Sequence, residues 1–301
     1  MNIFLTGASG FFGSVLLERL VKNEEIKKIY CLSRTGLPAI FLENEKVVLI
    51  KADINQLGEQ FDLCGIEKGK IDVVIHLAAY LKRENAKKFE EVNVKGTESV
   101  IYFCKKNGIN SIIHCSTINI KLQKKGGYAR TKEQAEQLII RSGLEYIIAR
   151  PALIYGNSDT GLNRMLSSGR SLGLIPCFGT GKFLQQPIYV NELAAFFEKF
   201  IFAGQKNIVL ELGGAEKLSY AKMCLCIGNV LGKNVKPFKL PARITLFFLA
   251  IIEFLRIPFS LRREQIYQVN QDLVCENHES LDVFGVKQKG FEENLRAYVK
   301  K

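Results

Sequence analysis

Tyr128 and Lys132 stand four positions apart in GGYARTKEQAEQLI, residues 126–139. On a helix that spacing places both side chains on one face. A lysine ammonium beside a phenol favours the phenolate and lowers the tyrosine pKa from its ordinary value of about 10. Such a tyrosine can trade a proton with an alcohol or ketone near neutral pH. Just upstream, SIIHCST (111–117) supplies two hydroxyls, Ser116 and Thr117, of the type that holds and polarises a substrate oxygen. Spacing alone decides little. With 10 Tyr and about a tenth of the residues Lys, roughly one Tyr-x-x-x-Lys arises by chance. A second, Tyr102–Lys106, is present.

The elements around the pairs separate them. Short apolar runs alternate with helical patterns: NIFLT (2–6), a helix over 11–23, KIYCLS (28–33), KVVLI (46–50), DVVIHLA (72–78), a helix over roughly 87–106, SIIHCS (111–116), a helix over about 127–142 and EYIIA (145–149). Continuous apolar strands joined by helices predict a parallel sheet covered on both faces. The repeated strand–helix unit predicts an α/β, doubly wound fold with its ligand outside the carboxyl ends of the strands. Tyr128 opens the helix directly after SIIHCST, at that edge. Tyr102 lies one helix too early and reads as incidental.

The predicted organisation is a nucleotide-binding domain over 1–155 and a smaller, mainly helical substrate region over 156–301. A later strand near 207–212 is expected to return to the sheet. The sequence shows no internal repeat or low-complexity tract.

Between the first strand and first helix stands TGASGFFG, with Gly7, Gly10 and Gly13. Gly7 permits a tight turn, Gly10 lets backbone approach a pyrophosphate, and Gly13 allows close helix–strand packing. The helix N-terminus then offers N–H groups and a positive dipole end to phosphates. This context points to a dinucleotide.

Thr6 through Gly13 match Thr-Gly-x-x-Gly-x-x-Gly, and here the chain resembles the extended short-chain dehydrogenase/reductases, or NAD-dependent epimerase/dehydratase family. The resemblance covers nearly the whole chain. It implies cofactor contacts from Gly7, Ser9, Gly10, Phe11, Phe12 and Gly13. It also implies adenine contacts from Asp53 and Ile54, and ribose-side contacts from Leu77, Ala78 and Ala79 of HLAA. Asn93, with Gly96 and Thr97, matches the helix that buttresses the site. Ser116, Tyr128, Lys132, Arg150 and Pro151 fall on the nicotinamide side. Thr117, Tyr128 and Lys132 carry the implied catalysis, with Thr117 favoured over Ser116 and Lys132 also holding the nicotinamide ribose.

The strand after the glycine loop ends CLSRTG, with Ser33 and Arg34 and no acid. A guanidinium there suits a 2′-phosphate, so NADP(H) is preferred, with NAD(H) the alternative. Three departures bear on substrate. Only ten residues separate Thr117 from Tyr128, Leu153 stands where the family tends to carry Asn, and Gln185 stands where it carries Arg. Losing the last two contacts weakens the case for a sugar nucleotide and leans toward an apolar, steroid- or isoprenoid-like substrate. The C-terminal half, including FLQQPIYVNELAAFFEKFI, resembles bacterial relatives of the accessory subunit of respiratory complex I. That resemblance supplies the competing expectation of a non-catalytic NADPH-binding assembly protein.

Eight Cys without Cys-x-x-Cys and three His without ligand spacing predict reduced, mostly core thiols, no metal and a cytoplasmic location. A net charge of +12 comes without a recognition module, so no nucleic-acid partner is expected. The apolar start lacks the basic region of a signal peptide, and no stretch approaches 18 apolar residues. ITLFFLAIIEFL (244–255) is apolar almost all round. Between 233 and 264, Lys233, Lys236, Lys239, Arg243, Arg256, Arg262 and Arg263 outnumber Glu253 and Glu264. Two readings stay open: a buried helix of the substrate region, or an interfacial segment on the inner face of a membrane. The oligomeric state is not legible.

Overall fold

The computed structural model describes residues 1–57, 70–81, 86–255, 261, 263–276 and 282–299. Cys64 and His278, which are among the cysteines and histidines counted above, Arg256, Arg262 and the side chain of Glu264 lie outside these.

The apolar runs form β1 (Asn2–Thr6), β2 (Lys28–Leu32), β3 (Val47–Ile50), β4 (Val73–His76), β5 (Ser111–Cys115) and β6 (Glu145–Pro151). Short strands β7 (Ile154–Tyr155), β8 (Leu174–Phe178), β9 (Leu184–Gln185) and β10 (Ile188–Tyr189) precede β11 (Ile208–Leu212). Seven of them build one parallel sheet in the order β11-β6-β5-β4-β1-β2-β3. The chain winds outward from β1 to β3, then crosses back to β4 and winds the other way. That reversal opens a crevice at the carboxyl ends of β1 and β4.

Alternation along β1 explains why both faces are apolar. Ile3 and Leu5 face one layer, where Phe12 and Leu16 of the helix Phe11–Leu20 meet Phe196, Phe197 and Phe200 of the helix Val190–Ile201. Phe4 faces the other layer, with its ring centroid 4.4 Å from that of Phe103. Each such buried side chain contributes roughly 1.5–3 kcal/mol. The chain between β4 and β5 is helical over Ala86–Phe89 and Gly96–Lys106, with a π turn at Glu90–Lys95 that brings Val92 to the crevice.

A separate core holds the later part together, around Tyr155, Leu166, Ile175, Ile227, Phe291 and Leu295. There β8 pairs with β13 (Lys236–Leu240), and β9 with β12 (Leu218–Ser219). The helix Ala242–Phe254 follows β13, and of its residues only Leu249 is buried. Among the described residues, no helix is long and apolar enough to cross a membrane.

Candidate active site

The glycine loop takes its shape from close backbone contacts. Gly7 has φ +76°, and a Cβ there would lie 2.7 Å from Ala78 N. A Cβ on Gly13 would lie 2.0 Å from Gly7 O. Gly10 N donates to Gly7 O at 3.0 Å and leads into the helix Phe11–Leu20 with no side-chain cap. The open first turn, with its N–H groups and positive dipole end, therefore faces the crevice.

The crevice is a cleft of about 340 Å³ running along the strand ends. Gly7, Ser9, Gly10, Phe11, Phe12 and Gly13 line its floor. Ser33 and Arg34 after β2, and Asp53 and Ile54 after β3, line one end. Leu77, Ala78 and Ala79 follow β4, and Ser116 and Tyr128 close the other end. Arg34 Nη1 sits 3.3 Å from Asp53 Oδ2, on side chains open to solvent. Ser33 Oγ donates to Gly36 O at 2.9 Å and meets Ser9 Oγ at 3.2 Å.

A buried hydrogen-bond chain ties the loop to the helix that carries Tyr128. Ala78 N donates to Thr6 Oγ1, whose hydroxyl meets His76 Nδ1 at 2.8 Å. His76 Nε2 meets Thr97 Oγ1 at 3.0 Å, and Thr97 donates to Asn93 O. With the Thr97 proton so used, His76 carries its proton on Nε2 and accepts from Thr6 at Nδ1. Asn93 Oδ1 accepts from Tyr80 N, and its Nδ2 donates to Thr131 Oγ1, one turn above Gly127. Burial pushes the His76 pKa down to about 3, helped by the Lys132 charge, so the ring stays neutral.

Five residues expected at the site lie outside the cleft lining. Lys132 is fully buried, with Nζ 2.9 Å from His114 Nε2; the helix turns Tyr128 to the cleft and Lys132 beneath it. Burial lowers the Lys132 pKa to about 8, against upward pulls from Cys115 and Glu136. Arg150 is committed to Glu136, with Nη2 to Oε2 at 2.6 Å and Nε to Oε1 at 3.1 Å, which clamps β6 to the Tyr128 helix. Pro151 is buried within β6, and Asn93 belongs to the chain above. Thr117 Oγ1 accepts from Asn119 N as the cap of the turn Ile118–Lys121. Its neighbour Ser116 holds the lining position instead, with Oγ buried and without a hydrogen-bond partner.

The lining also includes Thr6, Leu32, Thr35, Ala52, Leu81, Val92, Cys115 and Ile154, which sequence reasoning missed. Thr6, Leu32, Thr35, Ala52 and Cys115 share one signal, position at or just after a strand end, whereas Val92 reaches the cleft from the π turn. His114 was missed as the Lys132 partner; its register opposite His76 across β4 and β5 is what places it there. Gln185 is buried, and its Nε2 donates to Gln271 O at 3.1 Å, so this position serves the fold. Leu153 is exposed.

The sequence profile described as NAD dependent epimerase/dehydratase family matches residues 3–213. The chain belongs to this family. It is of the extended short-chain dehydrogenase/reductase type. The mitochondrial NADH dehydrogenase [ubiquinone] 1 alpha subcomplex subunit 9 of Arabidopsis thaliana is 24% identical, covering 95% of this chain and 74% of that protein. The dTDP-D-glucose 4,6-dehydratase of Dictyostelium discoideum is 26% identical over 76% of this chain, which spans 62% of the dehydratase's length. Among solved structures, a tyrosine-to-phenylalanine mutant of a UDP-glucuronic acid 4-epimerase from Bacillus cereus, in complex with a fluorinated UDP-glucuronic acid and NAD, shares the fold with TM-score 0.77. It is 19% identical, and the match covers 100% of this chain and 98% of that one.

Proposed function

We propose that this protein is an NAD(P)(H)-dependent oxidoreductase or epimerase acting at a carbonyl or carbinol carbon. One observation carries the reading: a single cleft has a glycine-rich helix N-terminus on its floor and Tyr128 beside an unpartnered Ser116 hydroxyl at its end. The cradle fits a dinucleotide, because Gly7 and Gly13 leave no space for a Cβ against neighbouring backbone and the first helical turn is uncapped. When bound, the nicotinamide supplies or takes the hydride. Tyr128 gives the proton to, or takes it from, the substrate oxygen. Ser116 donates a hydrogen bond to that oxygen, and Thr117, whose hydroxyl proton is left free by its cap, is the second candidate. Lys132 holds positive charge beneath the site.

Arg34 at the adenosine end supports preference for NADP(H), since a guanidinium can share a 2′-phosphate with little cost to its exposed pairing to Asp53. Leu153 and the inward-turned Gln185 support an apolar substrate over a sugar nucleotide, the class that the epimerase and dehydratase relatives act on. The cysteines among the described residues are free, which fits the cytoplasm.

Titration with NADPH and NADH, following nicotinamide fluorescence, tests the cofactor reading. Tighter NADPH binding, weakened about tenfold or more by Arg34→Ala, is expected. Binding of neither nucleotide would overturn it. A second reading, a nucleotide held as a structural element of an assembly, is favoured by the tie of Lys132 to His114 outside the cleft and by the match to the complex I subunit. Tyr128→Phe separates the two. An enzyme loses about 10²-fold or more of its turnover with nucleotide affinity retained, whereas an assembly protein keeps its function.

A further inference from the structure

We infer that the helix Ala242–Phe254 is a docking surface for an anionic lipid bilayer. Its exposed apolar residues, Ile244, Phe247, Phe248, Ile251, Phe254 and the following Leu255, recur at helical spacing and form one face. Phe247 is 64% exposed and Phe254 84%. Leu249 points the other way and is buried. This helix is about 20 Å long against a hydrocarbon core of roughly 30 Å, so it lies along a surface and does not cross it.

The charge of the segment that leads into this helix argues for the occupant. From Lys233 to Arg243 every charged residue is basic and exposed: Lys233, Lys236, Lys239 and Arg243. The helix has one acid, Glu253, which projects opposite the apolar face and is bound by Arg263 at 2.7 Å. A surface that is apolar along its centre and cationic along its approach matches lipid chains beneath phosphate headgroups. A second copy of this chain is a poor occupant, because a two-fold contact would oppose the same cations. Phe238 of β13, four residues before the helix, and Leu174 of β8, the register partner of Lys236, are further exposed apolar residues.

Co-sedimentation of the full chain with vesicles of phosphatidylglycerol and phosphatidylcholine, against phosphatidylcholine alone, tests this. Binding to the anionic vesicles that weakens with salt is expected. The variant Phe247→Ser/Phe248→Ser, which alters exposed side chains only, is expected to lose about tenfold or more of that binding. Lys236→Glu/Lys239→Glu is expected to lose about fivefold or more for each cation removed. The charge variant decides the matter alone if the phenylalanine variant melts below the wild type. Failure to sediment with anionic vesicles would overturn the inference, as would equal binding to neutral ones. A wild-type dimer that Phe247→Ser/Phe248→Ser converts to monomers, without vesicle binding in either, would reassign the face to a second copy.

Discussion

Lys132 Nζ lies 2.9 Å from His114 Nε2, and both side chains are removed from solvent. A buried ammonium loses hydration, and one imidazole nitrogen replaces little of it. The folded chain therefore holds this proton less tightly than the unfolded one. Burial sets the Lys132 pKa at about 8, from an ordinary 10.5.

The first prediction follows by linkage. Between those two values the unfolded chain keeps a proton that the folded chain has released, so the Lys132 contribution to stability rises with pH across that window and is least favourable below it. Lys132→Met removes this dependence. Its melting temperature relative to wild type is expected to be highest near pH 7 and to fall by about pH 10. A difference that does not change with pH would contradict the buried charge.

Acid acts through the histidines. His76 and His114 both have pKa values lowered by burial first and by Lys132 second, to about 3 for His76 and well below the ordinary 6.5 for His114. Below 6.5 the unfolded chain takes up protons that the folded chain refuses, so stability falls with falling pH. Each ring adds a slope of about 1.4 kcal/mol per pH unit below its unfolded pKa. Urea midpoints between about pH 7 and 4 should show His114→Leu losing one ring's share of that slope.

Ser116 and Thr117 respond in opposite directions. Ser116 Oγ is buried without a partner, so Ser116→Ala removes an uncompensated desolvation and leaves the melting temperature unchanged or higher. Thr117→Ala removes the cap on Asn119 N and costs about 1 kcal/mol, or about 2 °C at this chain length. If turnover is measured on any ketone substrate, Ser116→Ala is expected to be the more damaging to kcat. A larger loss in Thr117→Ala, with Ser116→Ala near wild type, would hand the substrate oxygen to Thr117.

The loop glycines separate folding from binding. Gly13→Ala puts a methyl 2.0 Å from Gly7 O and is expected to destabilise by about 3 kcal/mol. Gly10→Ala meets only Gly7 O, at 3.2 Å, and is expected to fold while losing nucleotide affinity. Thermal melts with and without NADPH distinguish them; equal losses of stability would refute the assignment.

Much of this was legible in the sequence, for identifiable reasons. The sheet follows from apolar runs buried on both faces, and the glycine loop from residues whose spacing reflects backbone crowding. Tyr128 was legible because its helix starts at a strand end. What stayed hidden depends on contacts between distant segments. Nothing in RPALIYG says that Arg150 is taken by Glu136, which lies on the neighbouring helix. The expected place of Lys132 beside Tyr128 came from helical spacing, while its actual partner comes from the register of β4 and β5. The all-round apolar character of 244–255 left open which face is covered; the structure covers Leu249 and leaves Phe247 and Phe254 bare.

The place of β11 has a consequence for synthesis and for protein engineering. β6 lies between β5 and β11, so a chain cut after residue 155 would present the whole outer edge of β6 unpaired. It would also lack the helix Val190–Ile201, and with it the phenylalanines that cover Phe12 and Leu16. A ribosome that has released only those first 155 residues therefore holds six of the seven strands with one edge open. The sheet is complete only once residue 212 has emerged, and Phe284 joins the same core later still. The proposed nucleotide site is thus not a module that can be excised at the end of β7 and moved to another protein.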